Sequence, residues 1–248
     1  MRVIGLMRIY RKATNWYLQD KNMIMANFRK YLFYIIFLAG SFSIATAQDS
    51  DTGNWFIYFG NQKFSKRWNF HNEVQYRNYN FAGDLEQLLV RTGIGYDLTE
   101  NNNNLLVGYA YIHSEPYDAL GEKFKVTEHR IFEQFITRQQ FGRVNVQHRY
   151  RFEQRFVEDD FKMRVRYFLS LNVPLNKKIM EKHAVYASAY NEIFINTKEN
   201  HYDRNRLYGG LGYCLNKYVR LEAGYMTQFL PGKSRSQFQL MVFNNLPF

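Results

Sequence analysis

The chain has 248 residues, a formal net charge of +11, 46% hydrophobic and 18% aromatic residues, and a mean hydropathy of −0.48. Heavy aromatic use normally accompanies a large dry core and a higher hydropathy, so this pairing argues against an ordinary soluble domain and fits a barrel with an apolar outside, a polar inside and aromatic girdles. The single cysteine, Cys214, excludes an internal disulfide framework, and it lies too far from the N-terminal segment to be a lipoprotein anchor.

Residues 1–47 read as a presequence. Arg29 and Lys30 precede the apolar run from Tyr31 to Ala39, and small residues then lead to Ala45-Thr46-Ala47. These are the basic, apolar and A-x-A regions of a secretory signal peptide. Cleavage leaves Gln48 first, and Met25, which opens a signal peptide of ordinary length, is the expected start. An uncleaved N-terminal anchor is the alternative, but the apolar run falls well short of the ~20 residues a membrane helix needs. The presequence carries Arg2, Arg8, Arg11, Lys12, Lys21, Arg29 and Lys30 against Asp20, so it holds +6 of the +11 and leaves +5 on residues 48–248. Basicity that would point to nucleic acid is thus partly a presequence property. The remaining cations alternate with aromatics and form no Lys/Arg block, so no nucleic-acid partner is expected.

Residues 48–248 read as one outer-membrane barrel domain. Eleven segments have strand character between turns rich in Asn, Gly, Asp and Pro: about 54–61, 67–79, 85–98, 104–113, 127–139, 143–156, 161–173, 183–195, 203–215, 218–229 and 236–248. In 67–79, Trp68, Phe70, Val74 and Tyr76 oppose Asn69, His71, Glu73, Gln75 and Arg77. In 85–98, Leu88, Val90, Ile94 and Tyr96 oppose Gln87, Arg91, Gly93 and Gly95. The clearest alternation is in 143–156, where Arg143, Asn145, Gln147, Arg149, Arg151, Glu153 and Arg155 oppose Val144, Val146, Tyr150, Phe152 and Phe156. Successive strand side chains point to opposite faces, so this one strand faces two different solvents. Segment 161–173 sets Phe161, Met163, Val165, Tyr167, Leu169 and Leu171 against Lys162, Arg164, Arg166, Ser170 and Asn172. Segment 218–229 sets Val219, Leu221, Ala223, Tyr225 and Phe229 against Arg220, Glu222, Gly224 and Gln228. Segments 127–139 and 183–195 have no clean parity, and their faces stay unassigned.

The fold class is therefore all-β, a transmembrane up-and-down antiparallel barrel. Tight links at 140–142 and 216–217 alternate with longer ones at 114–126 and 196–202, as expected for short turns at one end and loops at the other; the link 174–182 breaks that rule. Bacterial barrels normally close with an even number of strands, and eleven segments are odd. The expectation is ten to twelve strands, twelve favoured. The last segment ends on Phe248 with Phe238, Leu240, Val242 and Leu246 on the same parity, which resembles the signal that the barrel assembly machinery reads on outer-membrane proteins.

The run His148-Arg149-Tyr150-Arg151-Phe152-Glu153-Gln154-Arg155 is followed by Arg164-Val165-Arg166-Tyr167, Asn191-Glu192-Ile193-Phe194, Arg204-Asn205-Arg206 and Gly224-Tyr225. With these clusters the chain resembles the exported barrels of Gram-negative bacteria grouped as domain of unknown function 2490, over most of residues 54–248. The resemblance implies a fold and an outer-membrane location, with no established activity.

The candidate functional residues are the inward basic cluster Arg149, Arg151, Arg155, Arg164, Arg166, Arg204 and Arg206, with Glu153, Glu192 and Glu222 as carboxylate partners. In one reading, Arg and Glu pair across the lumen and plug it, since buried charges need partners and small barrels are filled by side chains. This makes the chain a structural or interaction protein. In a second, the Arg surplus lines a narrow path for a small anionic solute. A third class, a lipid-modifying hydrolase, has poor candidates, because His113 and Ser114 are sequence neighbours and point to opposite faces. The histidines lack metal-ligand spacing, and the acidic tip Glu158-Asp159-Asp160 reads as a solvated hairpin turn, so no cofactor is expected. Tyr117 and Tyr202 are loop aromatics of the kind interfaces favour. Beyond these, the expected partners are outer-membrane lipid and the assembly machinery.

Overall fold

The computed structural model describes residues 52–100, 102–198 and 201–247. The presequence, Met25, Gln48 and Phe248 lie outside the described residues. Every regular element is a strand: β1 (Gly53–Lys63), β2 (Trp68–Asn78), β3 (Leu85–Asp97), β4 (Asn103–Ser114), β5 (Val126–Phe141), β6 (Val144–Val157), β7 (Asp160–Pro174), β8 (Val185–Asn196), β9 (Tyr202–Cys214), β10 (Val219–Leu230) and β11 (Lys233–Asn244). Each pairs antiparallel with the next, and β1 pairs with β11 to close the barrel.

The strand count among the described residues is eleven, inside the expected range but not the favoured twelve. Segment 54–61 forms a complete wall strand, β1. In an up-and-down meander the first and last strands run antiparallel only when their number is even, so eleven strands must close on a parallel pair. That pair runs from Gly53↔Gln237 to Gly60↔Asn244. Parallel ladders have evenly spaced, slanted hydrogen bonds, and closure in this form leaves no free edge.

The expected segregation of short and long links is not observed. One rim carries the links 64–67, 98–102, 142–143, 175–184 and 215–218, and the other carries 79–84, 115–125, 158–159, 197–201 and 231–232. Two-residue turns therefore occur at both rims. In the turn between β10 and β11, Pro231 presets one backbone angle and Gly232 takes φ +76°, the left-handed region that glycine enters without penalty.

The faces expected from alternation are observed, and the two unassigned strands gain theirs. On β5, Glu128, Arg130 and Gln134 face the lumen with Phe132 and Ile136, leaving Glu133 on the outer face against Gln154 at 3.3 Å. On β8, Ser188, Tyr190, Glu192 and Phe194 face in, and Asn191 faces out, donating to Asn205 at 2.9 Å. Inward aromatics and outward polar groups thus blurred the parity of both strands. The lumen also has an apolar side that the alternation left unread. Trp55, Ile57, Tyr208, Met226 and Met241 form a buried cluster, with Phe59, Tyr190 and Phe243 against it. The outer face is broadly apolar, with Phe56, Val90, Val107, Val165, Leu207 and Leu221 all exposed.

Candidate functional site in the lumen

The lumen network is built around Glu153 on β6, which is 0% exposed. Its Oε2 accepts from Arg164 Nε at 3.0 Å and Nη2 at 2.7 Å. Its Oε1 accepts from Arg166 Nη1 at 2.6 Å and Arg130 Nη1 at 3.3 Å. Three guanidinium groups from β5 and β7 thus converge on one carboxylate. Desolvating a carboxylate costs several kcal/mol unless such donors compensate it.

Arg166 carries the network onward. Its Nη2 donates to Glu192 Oε1 at 2.7 Å, and Arg149 Nη2 reaches the same oxygen at 2.7 Å. Toward the rim with the 115–125 link, Glu128 accepts from Arg130 Nη2 at 2.6 Å and from Arg155 Nε at 2.7 Å. Arg164 Nη1 donates to Asp203 at 2.7 Å, and Asp203 also holds Arg204 at 3.0 Å. Neighbouring side chains on a strand normally point apart, so this last contact needs an irregularity. It exists: Phe194 pairs with Arg204 and Ile195 with Tyr202, which leaves Asp203 as an extra residue. A bulge of this kind re-aims a side chain.

Aromatic rings support the cations. Phe194 on β8 has the guanidinium carbons of Arg164, Arg166 and Arg206 at 5.1, 4.4 and 4.7 Å from its centroid. Phe132 on β5 carries Arg151 at 4.7 Å. Trp55 on β1 carries Arg77 at 3.9 Å and Arg206 at 4.9 Å. Such contacts are worth about 0.5–2 kcal/mol each, most when desolvated.

Of the residues picked from the sequence, the structure joins Arg149, Glu153, Arg155, Arg164, Arg166, Glu192 and Arg204 into one chain of ion pairs. Arg151 and Arg206 sit at its edge, each 3.8 Å from the nearest carboxylate, Glu153 and Glu192 respectively. They rely on Gln134 and Gln228 instead. Glu222 stands apart, accepting from Tyr186 Oη at 2.9 Å. Glu128, Arg130 and Asp203 were missed, the first two because β5 showed no parity and the third because a bulge is invisible to strict alternation. Glu73 and Arg91, paired at 2.6 Å, did lie on the polar faces of their strands.

Beside this network lies a cavity of about 780 Å³. Its lining reaches the exposed residues Lys63, Asn102, Gln139, Gln140 and Asn245 at the rim of the 142–143 turn, whereas toward the opposite rim it stops at buried or half-buried Arg77, Gln87, Glu128, Arg155, Arg164 and Arg204. The cavity thus reaches exposed side chains at one rim and ends among buried and half-buried Arg, Glu and Gln side chains toward the other. Among the described residues, no group of three or more His, Cys, Asp or Glu side chains is placed to hold a metal ion. Ser114 accepts from Gln87 Nε2 at 2.8 Å on the lumen side, while His113 lies against Glu115 at 3.2 Å. Of the two aromatics expected in loops, Tyr117 in the 115–125 link donates to Asp84 at 3.0 Å, while Tyr202 is instead the first residue of β9 and donates to the Phe229 carbonyl at 3.0 Å.

A family model described as Protein of unknown function (DUF2490) matches residues 52–239. The chain belongs to this family. The match takes in β1 to β10 and over half of β11, so the ion-paired lumen lies wholly inside the DUF2490 region. Comparison with curated proteins and with solved structures gave no match.

Proposed function

We propose that the DUF2490 barrel is an outer-membrane protein with a plugged, non-conducting lumen, acting as a structural or interaction protein of the membrane. The observation that carries the plugged lumen is Glu153, a wholly buried carboxylate bonded by Arg130, Arg164 and Arg166. Such a layer opens only by separating several buried ion pairs at once, and breaking one pair costs ~3–5 kcal/mol. Support for the membrane location is of two kinds. The strands run from 11 to 16 residues, enough for the ~9–11 residues a tilted transmembrane strand needs, and their outer faces are apolar. The presequence has the features of an export signal, and β11 sets Phe238, Leu240 and Val242 on one parity, a pattern by which the assembly machinery would recognise the barrel.

Single-channel recording of the purified protein in a planar bilayer tests the plug. The expected result is no steady conductance. A narrow anion-preferring pore is the second reading, favoured by the arginines Arg77, Arg151 and Arg206 that lack a close carboxylate, and a steady anion-selective current would put it first. Membrane location is tested separately by fractionation. Recovery of the folded protein in the soluble fraction would overturn it.

A further inference from the structure

The cavity has two unlike walls. On β3 and β6, Arg91, Arg149 and Arg151 line it with more positive charge than their carboxylates answer. Arg151 is 2% exposed and Arg91 3%. Arg151 spends Nε and Nη2 on the neutral Gln134, while its Nη1 has no hydrogen-bond partner. Arg91 reaches Glu73 through Nη1 and leaves Nε without one. Buried donors of a charged group left unpaired are costly, and here two belong to arginines that line one pocket, each donor atom itself shielded within the wall.

Across the barrel, β1 and β11 are the strands farthest from β6 in the closed order. They present the half-buried rings of Phe59 and Phe243 to the same cavity, in front of the buried Trp55, Ile57 and Met241. An apolar wall in a wet pocket is unfavourable by roughly 25 cal/mol per Å² of exposed apolar surface. A simple inorganic anion would satisfy the arginines and leave that wall wet. A neutral apolar molecule would dry the wall and leave the arginines unpaired.

We propose that this cavity binds an amphipathic anion, a carboxylate carrying a medium-length hydrocarbon chain. Arg151 and Arg91 turn their shielded, unpaired donors onto the carboxylate, the chain lies on the half-buried rings of Phe59 and Phe243, and entry is by the rim of the 142–143 turn. The volume lies within the ~300–1,000 Å³ of small-molecule sites, and the lining is divided between a charged and polar majority and a smaller apolar part, as a ligand with a charged head and an apolar tail requires. The inference stands apart from the question of conductance, since a pocket entered from one rim binds without passing anything through.

Trp55 beside the apolar wall supplies the readout. The protein in lipid nanodiscs is titrated with an ω-bromo medium-chain carboxylate, the matching ω-bromo alcohol and sodium bromide, and the Trp55 signal is taken as the difference from Trp55→Phe. The expected result is saturable quenching by the carboxylate, at least tenfold weaker binding of the alcohol, and none by bromide at equal concentration. Arg151→Gln is expected to weaken the carboxylate tenfold or more, bringing it toward the alcohol. Phe243→Gln on the apolar wall is expected to weaken it as well, and this variant keeps the test valid if Arg151→Gln misfolds. Equal binding of alcohol and carboxylate, saturable quenching by bromide, or no Trp55-dependent quenching would each overturn the proposal.

Discussion

Arg166 on β7 holds Glu153 on β6 through Nη1 at 2.6 Å, although the directly paired partner of Glu153 is Arg164. The contact is diagonal, reaching one inward position along the neighbouring strand, and it frees the other side of the Arg166 guanidinium for Glu192 at 2.7 Å. One cation thereby ties β6, β7 and β8 together from the inside. That tie decides which substitutions should matter.

Glu153→Gln keeps the shape of the side chain and removes its charge. Arg130, Arg164 and Arg166 then lose their shared partner in a poorly hydrated interior, and a loss of ~3–5 kcal/mol is expected. Thermal melting followed by circular dichroism, or the temperature at which the folded band disappears on a detergent gel, checks it. In a fully wet lumen the pair would be worth only ~0–1 kcal/mol, so unchanged melting with a new anion conductance would sink the plug.

Arg151→Gln should behave differently although it is equally buried. Its nearest carboxylate, Glu153, is 3.8 Å away and already held by three other arginines. Removing an under-compensated cation relieves repulsion from its neighbours, and the lost contacts are those to Gln134 and the Phe132 ring. The expected loss is at least ~2 kcal/mol smaller than for Glu153→Gln, read from the same melting curves. Equal losses would mean that burial alone, not pairing, sets the cost.

Depth along a strand tests the membrane reading. Val107 is 59% exposed and lies mid-way along β4, whereas Val144 is the first residue of β6. Val146 lies two residues from that same strand end. Val107→Arg should therefore cost ~2–4 kcal/mol in lipid and Val144→Arg about 0–1 kcal/mol, measured by refolding into bilayers. Equal, small effects would contradict a membrane-spanning wall.

Glu133 offers the converse. It projects from the outer face mid-way along β5, with Gln154 at 3.3 Å. A carboxylate facing lipid is unfavourable, though less so than an arginine. Glu133→Leu is expected to stabilise the barrel by up to about 2 kcal/mol in lipid, seen as a higher melting temperature. Destabilisation instead would mean that a partner protein, not lipid, covers this part of the wall.

What the chain alone determines is local. A period of two, sustained across long segments, is enough to place strands and to give β2, β3, β6, β7 and β10 an inside and an outside, because strand geometry sends successive side chains to opposite faces. It also gathers Arg149, Arg151, Glu153 and Arg155 on one face before any partner is known. Tertiary structure decides everything that depends on closure. The parallel pairing of β1 with β11 follows from an odd number of strands meeting around a ring, and no window of sequence contains both edges. Which arginine meets which carboxylate depends on reach across neighbouring strands, as the diagonal from Arg166 to Glu153 shows. The inward aromatics Trp55, Phe132 and Phe194 belong to the lumen because guanidinium groups stack on them there, which reverses the rule that apolar side chains point away from a polar interior. Asp203 joins only because a bulge turns it beside Arg204, and a strict alternation assigns those two neighbours to opposite solvents.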